Sequence, residues 1–268
     1  MKKITVIGAG LVGSTSTYGL MMLELANEIA LVDLDEKRAN AEVLDIRHGF
    51  WQLSRTNVKK GTYADCKDSQ LIVITAGVSR KPGESRRDLM EKNSKIMQSI
   101  CAEIRKSGTE AVVLVVSNPV DALTNVAAKA LKFPEGRVFG TGCALDTSRL
   151  VAMMAARLNQ PISKVEAVIT GEHGDGQVVN WDKLTSYGET IPLTDEEKHE
   201  ISEAVRLAGM TIIEGKGKTY YGIATTVCAI ARSVMLGFER SYSVCVPHLD
   251  EETGSSEVRL ISKGGIIN

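Results

Sequence analysis

The chain has 268 residues, 43% of them hydrophobic and 24% charged, with a formal net charge of -1. That balance suits one large or two modest domains with a sizeable core, and it argues against a nucleic-acid or membrane-surface binder, which would carry a strong charge excess. No apolar run reaches the roughly 18 residues that a membrane-spanning helix needs.

The chain opens with MKKITVIGAG. Its apolar run is too short for a secretory signal, and no small-residue cleavage site follows. The run reads as a first buried strand, Ile4–Ile7, in a protein expected to be cytoplasmic. Ile29–Val32, Leu71–Ile74 and Val112–Val116 have the same character, rich in Ile, Val and Leu without polar alternation. That is how strands buried on both faces of a parallel sheet read. Helical stretches at about 10–24, 36–48 and 86–107 separate them. Repeated strand–helix units predict an α/β fold whose N-terminal half is a Rossmann, doubly wound parallel sheet.

The second half changes character. A helix over Leu145–Leu158 stops before Pro161, and a strand over Val165–Thr170 leads into a Gly-rich turn. LTDEEKHEISEAVRLAGMTIIEG is a helix in which Thr194 and Glu197 have capping-box spacing. Ile201, Val205, Ala208 and Ile212 form its apolar face. YYGIATTVCAIARSVML reads as a buried helix, followed by strands near Tyr242–Pro247 and Glu257–Ile261. This mixed α+β part predicts a substrate domain, 141–268, beside a dinucleotide-binding domain, 1–140. No low-complexity linker separates them, so they should pack closely. The five cysteines (Cys66, Cys101, Cys143, Cys228 and Cys245) are scattered and odd in number, which predicts reduced thiols. Together with four scattered histidines they give no metal-ligand spacing, and no metal site is expected.

Strand Ile4–Ile7 runs into Gly8-Ala-Gly10-Leu-Val-Gly13, which opens a helix. These glycines allow a tight turn, close backbone approach to a pyrophosphate, and close helix packing. The helix N-terminus offers free N–H groups to the phosphates. Asp33 ends the second strand, 20 residues after Gly13. A carboxylate there can accept from both ribose hydroxyls and would repel a 2′-phosphate, which favours NAD over NADP. Alone, a Gly-rich turn can bind nothing and Asp33 can be a solvated strand-end acid. Strand, glycines, helix and acid in register favour a cofactor site.

ITGEHGDG places His173 between two glycines after an apolar strand. The imidazole titrates near neutral pH, which suits a general acid/base. LDTSRL supplies Asp146 as an orienting carboxylate and Arg149 three residues on, on the same helix face. VVSNPVD puts Asn118 at a strand end, where α/β sheets place ligands. Singly, a histidine between glycines is often a turn residue, and Asp-x-x-Arg is often a surface ion pair. His48, His199 and His248 have no such setting and read as surface or structural residues.

GAGLVG with Asp33, RKPGESR, SNPVD, LDTSR, GEHGD and TYYGIA together resemble the L-lactate/malate dehydrogenase family over nearly the whole chain. The resemblance implies that His173 exchanges the proton of the substrate hydroxyl and that Asp146 orients it. It implies that Arg149 grips the substrate carboxylate and that Arg86, on a closing loop, polarises the carbonyl. It further implies that Asn118 helps hold that carbonyl and the nicotinamide, and that Thr219 lines the pocket. The cofactor would be NAD, the substrate a small 2-keto or 2-hydroxy acid, and the assembly a homodimer or homotetramer.

The stretch GVSRKPGESRRDL carries three arginines and one lysine. Arg80 takes the position that, in the family, faces the substrate's variable end. An arginine there predicts a second carboxylate and hence malate/oxaloacetate, because pyruvate would leave a desolvated guanidinium unpaired. Arg87 should face solvent. Glu84, GTGCALD and Thr219 resemble the lactate branch instead, so lactate/pyruvate is the alternative. Gly176 stands where the family usually has serine or threonine, and the segment from there to Leu193 is short. The family's last strand and long C-terminal helix would lie beyond SKGGIIN, so a shortened chain is expected. That leaves a third reading, a dinucleotide-binding protein with little catalysis. Val151 and Glu166 replace the arginine and histidine of sugar-phosphate-activated relatives. Addition of fructose 1,6-bisphosphate should therefore leave KM unchanged; a clear drop in KM would contradict this.

Overall fold

Four short strands in the first half of the fold are apolar because both of their faces are covered. The computed structural model describes residues 1–50, 52–79, 83 and 85–267, apart from the side chains of Phe50 and Arg86. The expectations for Arg80, Lys81, Glu84 and the Arg86 side chain therefore lie outside the described residues.

In chain order the first half runs β1 (Lys3–Ile7), α1 (Leu11–Met22), β2 (Glu28–Val32), α2 (Glu36–Phe50), β3 (Asn57–Lys60), β4 (Leu71–Ile74), α3 (Arg86–Lys106), β5 (Val112–Val115), α4 (Val120–Leu131) and β6 (Val138–Gly140). Their order in the sheet is β3-β2-β1-β4-β5-β6, all parallel. This is the Rossmann order. Side chains alternate between its faces. Leu71 and Val73 point to the layer that holds Leu20 and Met21 of α1. Ile72 and Ile74 point to the layer that holds Met97, Ile100 and Ile104 of α3 with Leu123 and Ala127 of α4. Each such fully buried aliphatic side chain contributes about 1.5–3 kcal/mol.

The second half runs α5 (Ala144–Leu158), β7 (Val165–Glu166), β8 (Ile169–Gly171), β9 (Gln177–Val179), β10 (Thr185–Ser186), β11 (Glu189–Thr190), α6 (Asp195–Lys216), α7 (Tyr221–Leu236), β12 (Arg240–Val246), β13 (Ser255–Ser262) and β14 (Gly265–Ile267). It is a mixed α+β unit. The Val165–Thr170 stretch is not one strand. β7 pairs with β10 in a small sheet, whereas β8 pairs with β13 and β9 in the main one. The main sheet continues past β6 through a single pair, Cys245 of β12 opposite Gly140. α7 also crosses over. Its Val227, Ile230 and Val234 pack with Ile4, Val6 and Leu31 of the first sheet.

The capping box of α6 forms, with the Thr194 hydroxyl accepting from the Glu197 N–H at 3.2 Å and the Glu197 carboxylate accepting from the Thr194 N–H at 2.8 Å. Its apolar face is shorter than predicted. Ile201 and Val205 are buried, but Ala208 is half-buried and Ile212 exposed, because the helix leaves its core after Val205. All five cysteines are free and buried. Burial pushes the Cys66, Cys101, Cys143 and Cys228 thiols up to about 12, which removes them as nucleophiles at neutral pH.

Candidate active site

The carboxyl ends of β1, β4 and β5, together with the turn after β8, deliver the site residues to one side of the fold. At β1 the chain turns through Gly8, whose φ of 110° strains any side chain. A Cβ on Gly8 would lie 2.7 Å from the Ala76 nitrogen, and one on Gly13 would lie 1.8 Å from the Gly8 carbonyl oxygen. Gly8 therefore lets the segment after β4 pass close to the turn, and Gly13 lets α1 close onto it. Gly10 differs: it is the N-cap of α1, and a Cβ there would meet nothing within 4 Å. That open space lies in front of a helix end with no side-chain cap and no acidic residue in its first turn. A diphosphate fits such a place, since first-turn N–H groups and the helix dipole favour an anion. Asp33 holds the turn from the other side. One carboxylate oxygen accepts from the Ala9 N–H at 2.6 Å and the other from the Asp35 N–H at 2.9 Å. Each oxygen keeps a lone pair for a ribose hydroxyl.

A cavity of about 170 Å³ lies beyond this turn, lined by Asn118, Arg149, His173 and Thr219 together with Val12, Val116, Leu145 and Ile223. Four of the predicted site residues, from distant parts of the sequence, thus meet on one surface. Asp146 stands behind them, 1% exposed. Its Oδ2 lies 2.5 Å from the Nδ1 of His173, and its Oδ1 accepts from a guanidinium nitrogen of Arg149 at 2.8 Å. With the Nδ1 proton given to Asp146, Nε2 is left free to take or give a proton. Burial alone would lower the His173 pKa. The Asp146 hydrogen bond and charge outweigh it, with help from Asp121, and raise the pKa. The remaining guanidinium donors of Arg149 can receive a carboxylate as a planar fork.

Arg86 is the first residue of α3, capped by Ser85 with a capping box to Asp88. Arg87 is exposed. His48 and His199 are exposed, while His248 is tied to Ser255 and Asn125 in the loop after β12. Gly176 has a steric reason. A Cβ there would lie 3.0 Å from the Glu172 Cβ, and its carbonyl accepts from the Glu172 N–H at 3.3 Å, so it closes the turn that carries His173.

Asn93 was not among the predicted residues. It is 2% exposed. Its side-chain oxygen accepts from the Val78 N–H at 2.9 Å, and its amide nitrogen donates to the carbonyls of Val78 at 3.2 Å and Asn118 at 2.8 Å. It thereby ties the start of the arginine-bearing segment to the Asn118 strand end. The signal was one polar residue on the buried side of a helix, which sequence pattern alone does not mark as functional. Asn93→Ala should lower stability by about 1–3 kcal/mol and kcat/KM by about tenfold through misplacement of Asn118. Urea unfolding and steady-state rates check the two effects; an unchanged rate would confine Asn93 to folding.

Residues 2–140 match the family profile described as the lactate/malate dehydrogenase NAD binding domain. Residues 143–265 match the lactate/malate dehydrogenase alpha/beta C-terminal domain. The chain belongs to the lactate/malate dehydrogenase family. It is 42% identical to an L-lactate dehydrogenase of Halalkalibacterium halodurans, over 99% of this chain and 86% of that protein. The minor L-lactate dehydrogenase from Enterococcus mundtii superposes with a TM-score of 0.95 at 31% identity, over 100% of this chain and 89% of that one. A lactate dehydrogenase from a Medee basin deep-sea metagenome library gives 0.94 at 32% identity, over 99% and 89%. As a member of this family the protein is an NAD-dependent oxidoreductase acting on 2-hydroxy acids.

Proposed function

We propose that the protein is an L-lactate dehydrogenase that interconverts lactate and pyruvate with NAD. The observation that carries this reading is the likeness to proteins named L-lactate or lactate dehydrogenase. Among the cavity's described lining residues Arg149 is the one guanidinium, and apart from His173 the rest are neutral. One fork serves one carboxylate, and Val12, Val116, Leu145 and Ile223 leave an apolar wall for a methyl group. The malate/oxaloacetate preference expected from Arg80 loses ground. It rested on one cation, which lies outside the described residues, whereas the similar proteins are named for lactate. Malate remains the second reading on the strength of Arg80 alone.

The bound nicotinamide would supply a hydride to the keto carbon or accept one from the hydroxy carbon. Gly8, Gly10, Gly13 and the α1 N-terminus would hold its diphosphate, and Asp33 the ribose hydroxyls, which favours NAD over NADP. Arg149 grips the substrate carboxylate. His173, held by Asp146, gives its Nε2 proton to the carbonyl oxygen in reduction and takes it back in oxidation. Asn118 and Arg86 polarise that carbonyl, and Thr219 bounds the pocket. The intact His173–Asp146–Arg149 set argues against a catalytically weak binding protein. Met210, Ile212 and Ile213 are exposed on α6, which supports association into a homodimer or homotetramer.

NADH oxidation with pyruvate and with oxaloacetate, compared by kcat/KM, tests the reading. A preference for pyruvate of 10-fold or more, roughly what a small pocket contact achieves, is expected. A preference for oxaloacetate would restore Arg80 as the specificity residue.

A further inference from the structure

A second buried carboxylate touches the histidine, and nothing above gives it a role. Asp121 lies in the first turn of α4 and is 3% exposed. Its Oδ2 accepts the backbone N–H of His173 at 2.8 Å. Its carbonyl accepts the Gly254 N–H at 3.1 Å, which fastens the same turn of α4 to the loop between β12 and β13. Its Oδ1 is buried with no hydrogen-bond partner among the described residues.

This is a costly choice of side chain. A buried acceptor left unpaired is unfavourable, and a buried carboxylate more so. An asparagine or a serine could close the same turn by accepting one N–H, without a charge. Burial pushes the Asp121 carboxyl above its usual range, against the neighbouring Cys245 thiol, the His173 backbone N–H and the charge of His173, which lower it. The titratable groups facing it are His173 from the turn after β8, Asp146 from α5, Cys143 just before α5 and Cys245 on β12. Arg149 opposes the two carboxylates at His173. A group that costs stability and abuts the acid/base residue has the marks of a functional one.

We propose that Asp121 is a positioning residue for His173: its Oδ2 fixes the backbone that carries the imidazole, and its carboxylate is a second negative group, beside Asp146, that favours the imidazolium. Asp146 holds the ring and Asp121 holds the main chain. α4 and α5, which start at the ends of neighbouring strands, therefore grip the histidine from two sides. The inference rests on His173 being the acid/base group, as proposed above.

The test has two readouts. In the first, the imidazole Cε1–H of His173 is followed by NMR against pH in the ligand-free protein, assigned with His173→Asn. Asp121→Asn keeps an acceptor for the His173 N–H and removes the charge. It should lower the proton affinity of His173 about three- to tenfold. In the second, kcat and KM for pyruvate reduction are measured. Asp121→Ala removes both functions and should lose about 100-fold, chiefly in kcat. Asp121→Asn should lose less than tenfold at a pH low enough to keep His173 protonated. An unchanged His173 titration in Asp121→Asn would overturn the proposal. So would an Asp121→Ala protein that melts lower but keeps its kcat. If the alanine variant does not fold, the asparagine variant decides alone. A wild-type protein that reduced neither pyruvate nor oxaloacetate would overturn the functional reading, while the NMR titration would still decide the role of Asp121.

Discussion

His173→Asn is expected to lower kcat/KM for keto-acid reduction by about 10³-fold, the scale of a lost general acid, while NADH binds as before. The two effects separate because His173 lines the substrate cavity beyond the glycine turn, whereas Gly10, Gly13 and Asp33 sit at the start of α1 and the end of β2. Asparagine keeps a hydrogen-bonding group near the Nδ1 position and removes the proton chemistry of the ring. Fluorescence titration with NADH and steady-state rates give the two numbers. Activity that survived the change would place the proton donor elsewhere.

Arg149→Leu should cost a comparable amount, on the order of 10³-fold in kcat/KM, carried mostly by KM. Truncating one member of a desolvated ion pair typically costs several kcal/mol. Here the guanidinium serves two partners. It would bind the substrate carboxylate, and it already pairs with Asp146 at 2.8 Å. Its loss leaves Asp146 buried with His173 alone, and it removes a positive charge that lowers the His173 pKa. The pH limb of the variant should therefore move upward. Arg149→Lys should recover part of the loss, since a point charge replaces the fork without its bidentate geometry. A KM that did not change in Arg149→Leu would show that the carboxylate is held elsewhere.

The parts of the fold that were legible in the sequence are those in which local pattern and tertiary burial agree. β1, β2, β4 and β5 are covered on both faces and read as unbroken apolar runs. The Thr194 cap is local chemistry. β3 was missed because it is an edge strand whose sequence, NVKK, carries two lysines and one buried valine. β6, at three residues, is too short to show a period. α7 was recognised as a buried helix, but nothing in its sequence shows that it covers the first sheet. The site divides in the same way. The glycines, Asp33, Asp146, Arg149 and His173 stand in motifs with unusual local composition. Asn93 and Asp121 act through bonds to the backbone of residues 15 and 52 positions away, and such bonds leave no periodic trace.

The pairing of His173 with Asp146 is the core of the proposed mechanism, and the pH dependence of both reaction directions tests it most directly. The folded pKa of His173 is raised above its ordinary 6.5. Reduction uses the imidazolium, so kcat/KM for pyruvate should be level below 6.5 and fall as pH rises through the raised value. Oxidation uses the neutral imidazole, so kcat/KM for lactate should rise through that same value. Asp146→Asn should move both limbs down together. Two limbs of opposite slope sharing one midpoint above 6.5 is the expected result. Limbs that are flat, that slope the same way, or that share a midpoint below 6.5 would contradict the assignment of His173 as the acid/base group and of Asp146 as its partner.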